Sequence, residues 1–129
     1  MRVGYLPDPE QHPAWGDIKA LLDKAARVGG IEAYEPGDVV WLALDDKTIW
    51  AAMVSRFGNG VAEIRCVGGA RLNDWLPEWA HIFEEWARNC GARWLQCRGR
   101  KGWARFAKRF GWNFSHHDSE GLPVFEKEL

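Results

Sequence analysis

Residues 61–97 most constrain what this chain can fold into, because they form one continuous pattern of strand, glycine corner, amphipathic helix and strand. The run 61–67 is rich in β-branched residues and ends at Gly68-Gly69, which predicts a strand that stops at the glycines. Residues 92–97 predict a second strand after the helix. The helix is long enough for a right-handed crossover, so we expect the two strands to be parallel neighbours.

The helix between these strands carries apolar residues at steps of three and four, which places them on one stripe. Asn73 or Asp74 can cap its start, because either side chain can accept from the unpaired N–H groups of the first turn. Gly91 follows the helix, where a left-handed C-cap belongs. The predicted buried stripe is Trp75, Trp79, Ile82, Phe83, Trp86 and Cys90, opposite Glu78, His81, Glu84, Glu85 and Arg88.

The composition fits one compact domain over residues 1–129, with 47% hydrophobic residues to build a core. Nine tryptophans must lie mainly in the core or at an interface, because an indole is costly to leave in water. The net charge of −1 provides no global basic field that would draw the whole chain onto nucleic acid or a membrane.

The cysteines and the hydropathy pattern indicate where such a chain works. Cys66, Cys90 and Cys97 have no metal or redox spacing, and their odd number predicts free thiols in a reducing compartment. The sequence shows no signal peptide, and no apolar run approaches the roughly 18 residues of a spanning helix. We therefore expect a cytoplasmic protein that is not secreted and has no membrane partner.

The rest of the chain completes a mixed α/β pattern. We expect an edge strand at 2–6, a helix at 14–28, extended chain at 31–34, and a hairpin of strands 38–44 and 48–56 that leads into strand 61–67. A short helix at 102–110 and strands at 112–118 and 122–127 close the chain. The predicted order is (β)α-βββ-α-β-α-ββ, a mixed sheet with helices on both faces.

This order resembles the Gcn5-related N-acetyltransferases (GNAT), and the resemblance covers nearly the whole chain. The hairpin 39–56 is similar to that family's central antiparallel strands, segment 84–92 to the end of its cofactor-side helix, and segment 106–112 to its late helix-to-strand step. A narrower likeness is to small GNAT-like proteins encoded by tailed bacteriophages. There a Gly-Gly corner, a Trp-rich helix and a Gly-Arg-x-Gly-Trp-x-Arg segment recur, as at residues 99–105 here.

The resemblance implies a cofactor site. In active members a Gln/Arg-x-x-Gly-x-Gly/Ala loop and the following helix N-terminus hold the pyrophosphate of acetyl-CoA. Residues 65–70 match that pattern literally, but Asp74 puts a carboxylate where the phosphates would bind, and residues 71–73 intervene before the helix. A plain glycine corner with a capped helix is therefore the favoured interpretation. The implied cofactor residues are Arg65, Gly68, Gly69, Ala70 and Arg71.

The resemblance also implies a catalytic base and acid. Glu63 lies on the central strand in the region that resembles the family's base position, although a carboxylate that is exposed or paired with Arg65 is the favoured interpretation. The family's frequent acid is a tyrosine, and the matching position here is Ala107, which has no proton to give. The two tyrosines, Tyr5 and Tyr34, lie elsewhere, so catalytic activity is uncertain.

Basic residues cluster late in the chain, with Trp103, Phe106 and Phe110 interleaved. We expect a solvated basic face over an aromatic core, with a phosphate, nucleic-acid or acidic-partner contact as the alternative. The segment 116–118, His-His-Asp, predicts no metal site, because adjacent residues on a strand point to opposite faces. The basic patch is Arg98, Arg100, Lys101, Arg105, Lys108 and Arg109.

Three hypotheses for function follow. The first is a phage-encoded GNAT-like protein, non-catalytic or weakly active, that acts by binding a protein partner in the virion or its assembly, and so works in the host cytoplasm or the virion. The second is an acyl-CoA-dependent N-acyltransferase that uses Glu63 and acetyl-CoA. The third is a nucleic-acid-associated module that uses the basic patch. Fold alone does not decide between them.

Overall fold

The computed structural model describes residues 1–29, 34–99 and 103–129. The predicted order of elements is confirmed, with bounds that differ by one or two residues, and a single 3₁₀ turn at Pro9–Gln11 is added. The predicted extended segment 31–34 lies, except for Tyr34, outside the described residues. The elements are β1 (Arg2–Leu6), α1 (Trp15–Gly29), β2 (Val39–Asp45), β3 (Thr48–Gly58), β4 (Val61–Gly69), α2 (Leu72–Asn89), β5 (Trp94–Arg98), α3 (Trp103–Arg109), β6 (Asn113–His117) and β7 (Pro123–Glu128).

The seven strands form one sheet in the order β1-β2-β3-β4-β5-β7-β6. Strands β4 and β5 are parallel, as expected from the crossover, and the other neighbouring pairs are antiparallel. Helix α1 packs on one face, where Ile18 and Leu22 meet Val40 and Val54. Helices α2 and α3 share a core on the other face, so helices cover both sides of the sheet.

Strand β4 contains one more residue than the part of β3 that it pairs with. Val54 pairs with Cys66 and Ser55 with Ile64, so Arg65 is the extra residue of a β-bulge. Ile64 therefore lies in the core under α2, whereas Cys66, two positions later, lies in the core under α1.

The aromatic stripe of α2 lies in the core, as its spacing predicts. Trp75, Trp79 and Phe83 are fully buried, and the Trp75 indole N–H donates to the Ala70 carbonyl at 2.9 Å. The stripe is shorter than predicted, because Cys90 is exposed beyond the end of the helix. Of the nine indoles, Trp41, Trp75, Trp79 and Trp112 are buried, Trp15, Trp50, Trp86 and Trp103 are half-buried, and Trp94 is exposed.

Two observations concern the predictions about membrane spans and free thiols. Within the described ranges, no helix is long and apolar enough to span a bilayer. All three cysteines are free thiols, of which Cys66 and Cys97 are buried.

Candidate cofactor and catalytic site

The parallel strands β4 and β5 stop pairing near their carboxyl ends, which is where open α/β sheets bind ligands. Their register runs from Val61 opposite Trp94 to Ile64 opposite Cys97. Strand β5 ends one residue later, whereas β4 continues to Gly69. The candidate cofactor and catalytic residues of β4 lie between Glu63 and Gly69, in and just beyond the last paired positions.

The two glycines of the corner are packed against backbone. A Cβ atom on Gly68 would lie 2.5 Å from the carbonyl oxygen of Leu21 in α1. A Cβ atom on Gly69, whose φ is +130°, would overlap the carbonyl oxygen of Trp50 in β3. Both positions need glycine for these close approaches, and no ligand has to be invoked to explain them.

Helix α2 starts earlier than predicted and without the predicted cap. It begins at Leu72, so Asn73 and Asp74 lie inside its first turn, and only Ala70 and Arg71 separate it from β4. The N-cap is Arg71, in a left-handed conformation (φ 60°, ψ 40°) with no side-chain capping hydrogen bond. The prediction that Asn73 or Asp74 caps the helix is therefore wrong.

The charge at this helix start is already balanced within the chain. Asp74 supplies a carboxylate to the positive end of the helix, and the Arg71 Nε donates to its Oδ2 at 2.6 Å. The Arg71 guanidinium also lies 4.7 Å from the ring centroid of Trp50 and 3.9 Å from an oxygen of Asp45. Arg71 thus joins three groups of its own chain at the position where a phosphate would bind.

Two features of the corner oppose binding of the pyrophosphate of acetyl-CoA: engaged amide donors and a competing carboxylate. A phosphate at a helix N-terminus needs amide donors that point at it and no competing anion. The N–H of Ala70 donates to the Trp50 carbonyl at 2.9 Å, and the N–H of Asp74 donates to the Arg71 carbonyl at 3.0 Å. With these donors engaged and Asp74 in place, the geometry favours the interpretation of a structural glycine corner.

Glu63 is the centre of an ion-pair network. Its Oε1 accepts from Arg65 Nη1 at 2.8 Å and from Arg98 Nη2 at 3.4 Å. Both guanidiniums contact the same oxygen, and they compete for it with any amine proton that a catalytic base would remove. Glu63 is therefore found in the paired state that its neighbour Arg65 suggested, and Arg98 adds a second partner.

Asp118 extends this network, and sequence reasoning missed its role. Its Oδ2 lies 3.3 Å from Arg98 Nη1. The hydrogen bond from the Leu122 backbone N–H, with further ones from Glu120 and Arg98, lowers the pKa of the Asp118 carboxyl. An aspartate just before a turn often accepts hydrogen bonds from backbone N–H groups further along that turn. The position of Asp118 before the turn 119–121 could therefore have indicated its role.

Among the described residues, neither Ala107 nor the two tyrosines supply a catalytic acid beside Glu63. Ala107 is buried in α3, as its inward position predicts. The Tyr34 hydroxyl donates to Glu10 at 3.0 Å, and Tyr5 lies exposed on the edge strand β1. Burial raises the pKa of the Cys97 thiol well above its usual range, so this thiol stays protonated, as expected for a buried strand cysteine rather than an activated one.

The structure divides the basic patch. Arg98 belongs instead to the ion-pair network of Glu63, because Arg98 lies on strand β5. Arg105, Lys108 and Arg109 lie exposed on α3, above the inward-facing Phe106. Arg100 and Lys101 lie outside the described residues. For the described part of the chain, a solvated basic face over an aromatic core is therefore what the structure contains.

The histidines of β6 do not form part of a metal centre in the described structure. His116 and His117 are both exposed, and the Ser115 hydroxyl lies 2.9 Å from His116 Nδ1. Among the described residues, no group of three or more histidine, cysteine, aspartate or glutamate side chains has the geometry to hold a metal ion.

Comparison with known proteins identifies the fold. No family model and no curated protein sequence matches the chain. Among solved structures, Tetrahymena GCN5 is similar with a TM-score of 0.76 at 11% identity, covering 100% of this chain and 96% of that one. The IAA acetyltransferase from Bacillus cereus ATCC 14579 is similar with a TM-score of 0.74 at 14% identity, covering 99% of each chain.

A further solved neighbour contains a ligand. The Bacillus subtilis acetyltransferase in complex with CoA has a TM-score of 0.73 at 12% identity, covering 99% of this chain and 98% of that one. Identities this low show the architecture and leave function open. The chain has the fold of the Gcn5-related N-acetyltransferases.

Proposed function

We propose that this protein uses the GNAT fold to bind another protein and does not transfer acetyl groups. The observation that carries the proposal is the packed corner at Gly68 and Gly69, where backbone of α1 and β3 occupies the directions in which a side chain would point. Asp74 and Arg71 then neutralise each other at the helix start. The Asp74 carboxylate opposes a dianionic pyrophosphate there, and the Ala70 N–H that could donate to it is bonded to the Trp50 carbonyl.

The catalytic groups support the same proposal. Glu63 is held by two guanidiniums, and the position that resembles the family's acid is the buried Ala107. General acid–base catalysis needs a group that can take a proton and one that can give it within reach of the substrate. The described surroundings of Glu63 supply charge pairing rather than such a couple.

We place this binding role in a bacteriophage, as a component of the virion or of its assembly in the host cytoplasm. The support is the resemblance to phage GNAT-like proteins of the Gly-Gly corner, the Trp-rich helix and the segment 99–105. A virion component would remain with purified particles after extensive washing. Detection of the chain by mass spectrometry in lysate alone, and never in washed particles, would restrict the role to assembly or to the infected cell.

Isothermal titration with acetyl-CoA tests the proposal. We expect no saturable heat up to about 1 mM cofactor, which corresponds to a binding free energy weaker than about −4 kcal/mol. The variant Asp74→Ser removes the carboxylate from the helix start and should stay silent too, because the Ala70 N–H remains bonded to the Trp50 carbonyl. Micromolar binding by the unchanged protein would contradict the proposal. Binding by Asp74→Ser alone would show that the negative charge of Asp74, rather than the packing of the two glycines, prevents cofactor binding.

A second candidate function is acyl-CoA-dependent N-acyl transfer to an amine, with Glu63 as base. The continuation of β4 beyond its last pair with β5 favours it, together with the fold neighbour solved in complex with CoA. It predicts that the protein acetylates members of a polyamine and amino-acid panel and that Glu63→Gln loses this activity. Acetylation that Glu63→Gln leaves unchanged would remove Glu63 from the role.

A further inference from the structure

Strand β6 is an outer strand of the sheet, and its residues are exposed. It pairs with β7 on one side, and within the described residues no strand pairs with its other side. All five residues, Asn113–His117, are exposed. An outer strand has a row of N–H and C=O groups that can pair with an added strand.

The composition of β6 does little to prevent such pairing. Proteins usually protect outer strands with charged residues, proline or a bulge. Strand β6 contains no Asp, Glu, Lys, Arg or Pro, and the register shift between Phe114 and His116 is the one device of this kind that it has. The opposite outer strand, β1, begins with Arg2 and is followed directly by Pro7.

An exposed aromatic ring lies on β6. Phe114 is 55% exposed, and its ring contacts Phe125 and His117 at centroid distances of 6.1 and 5.1 Å. Phe125 belongs to the core that α3 covers, so Phe114 lies on the same face of the sheet as α3. The ring therefore offers an apolar contact beside the free side of the strand.

The adjacent helix supplies uncompensated positive charge. Arg105, Lys108 and Arg109 are exposed on α3, whose last turn leads through only three residues into β6. Within the described residues, none of the ion pairs involves these three cations. Arg109 lies 5.3 Å from the ring centroid of Phe110, and its guanidinium is still exposed to a partner.

We infer that β6 and the basic side of α3 form a docking surface for an extended acidic segment of a partner protein. The segment adds to β6 as a further strand, with main-chain hydrogen bonds to β6, an apolar residue on Phe114 and carboxylates facing α3. We call this surface the open edge: Asn113–His117 together with Arg105, Lys108 and Arg109. The inference rests on the proposed function and names the chemistry of the partner.

Fluorescence anisotropy with a labelled peptide tests the open edge. The probe is a capped ten-residue peptide in which valine and glutamate take turns at every second position and threonine fills the others, so that valine and glutamate share one face of the added strand. The full chain is titrated into it at low salt. We expect a dissociation constant below about 100 µM, which is usual for a short segment that orders on binding. The same peptide with lysine in place of glutamate should not bind, and neither should a version with proline at every third position, which lacks the necessary amide donors.

Two variants test where the peptide binds, and a third variant is the matched control. Phe114→Asp and the pair Arg105→Glu with Lys108→Glu should each weaken binding at least about tenfold. The pair Lys24→Glu with Arg27→Glu makes the same charge change on exposed positions of α1, across the sheet, and should keep the affinity. Amide hydrogen exchange should slow in β6 when the acidic peptide is bound.

Three outcomes would overturn the inference: no binding up to about 1 mM peptide, equal weakening by the α1 pair, or exchange protection confined to other strands. A single-stranded 20-mer DNA that binds in place of the peptide, and is lost in the α3 pair, would assign the surface to nucleic acid. Each result is independent of the acetyl-CoA titration. The docking surface and the absence of a cofactor can therefore fail separately.

Discussion

Two regions of this molecule combine arginine with aromatic rings, and they differ in what those residues contact. At the corner of Gly68 to Arg71, the cation lies on Trp50 and is bonded to Asp74, and the glycines are packed against backbone. At the open edge, the cations of α3 have no ion pair among the described residues, and Phe114 is half exposed. In the first region the residues hold the fold together, and in the second they remain available to a partner.

The difference shows that a sequence motif has to be interpreted from what its residues contact in the fold. Residues 65–70 match a phosphate-binding pattern, yet neighbours from α1 and β3 account for the two glycines. Of the α3 cations, Arg105 ends the segment 99–105 and Lys108 and Arg109 match no motif, yet none of the three has an ion pair among the described residues. Substitutions should therefore lower stability at the corner and lower binding at the open edge.

The largest effect is expected from Gly68→Ala. The new methyl group would be 2.5 Å from the Leu21 carbonyl oxygen, so α1 must shift away from β4. We expect a loss of about 3 kcal/mol in the free energy of unfolding, measured by urea denaturation. Gly4→Ala is the matched control, since nothing lies within 4 Å of its Cβ position, and it should change stability by less than about 0.5 kcal/mol. Equal effects of the two substitutions would show that the corner is not packed.

The next largest effect is expected from Glu63→Gln. It removes the carboxylate that faces Arg65, whose side chain is 6% exposed, and leaves a buried guanidinium with less compensation. We expect a loss of about 2 kcal/mol in the free energy of unfolding. The exposed carboxylate of Asp23, paired with Lys19 at 3.4 Å, provides the control Asp23→Asn, for which we expect less than about 0.5 kcal/mol. A stability unchanged by Glu63→Gln would indicate that the network contributes nothing to folding.

A smaller, pH-dependent effect is expected from Asp118→Asn. The pKa of Asp118 is lower in the folded chain than in the unfolded one, so its stabilising contribution is present above the unfolded pKa and is lost as the pH falls through the folded pKa. Between pH 6 and pH 3 the urea midpoint of the unchanged protein should therefore fall further than that of the variant. Parallel curves for the two proteins would contradict the role assigned to the turn after β6.

The smallest effect on stability is expected from reversing charge at the open edge. Arg105→Glu with Lys108→Glu changes two exposed side chains that have no ion pair among the described residues. We expect the free energy of unfolding to change by less than about 0.5 kcal/mol, measured by the same urea titration. A larger loss would mean that these cations stabilise the fold, and the contrast with the corner would disappear.

Much of the architecture was readable from periodicity, because local spacing determines which face of an element is apolar. The stripe Trp75, Trp79 and Phe83 lies in the core as predicted, and Gly91 follows the helix with a φ of +86°. The parallel pairing of β4 with β5 also followed from the crossover helix. These features depend on residues close together in the chain.

The site was less predictable, because its contacts join residues distant in the chain. The backbone of Leu21 leaves no room for a side chain at residue 68, and the backbone of Trp50 leaves none at residue 69. Arg98 looks like the first member of a basic run, but strand β5 directs it toward Glu63 and Asp118. Asp74 suits a helix cap, but Arg71 adopts the left-handed conformation and holds that carboxylate within the first turn.

The bulge at Arg65 shifts the alternation of side chains along β4 by one residue. Up to Ile64 the even-numbered residues face α2, and from Cys66 onward the even-numbered residues face α1. Loss of residue 65 would keep every other residue of β4 on its present face, whereas an uncompensated deletion elsewhere in a regular strand exchanges its two faces. This strand can therefore lose one residue at the bulge while Gly68 still meets α1.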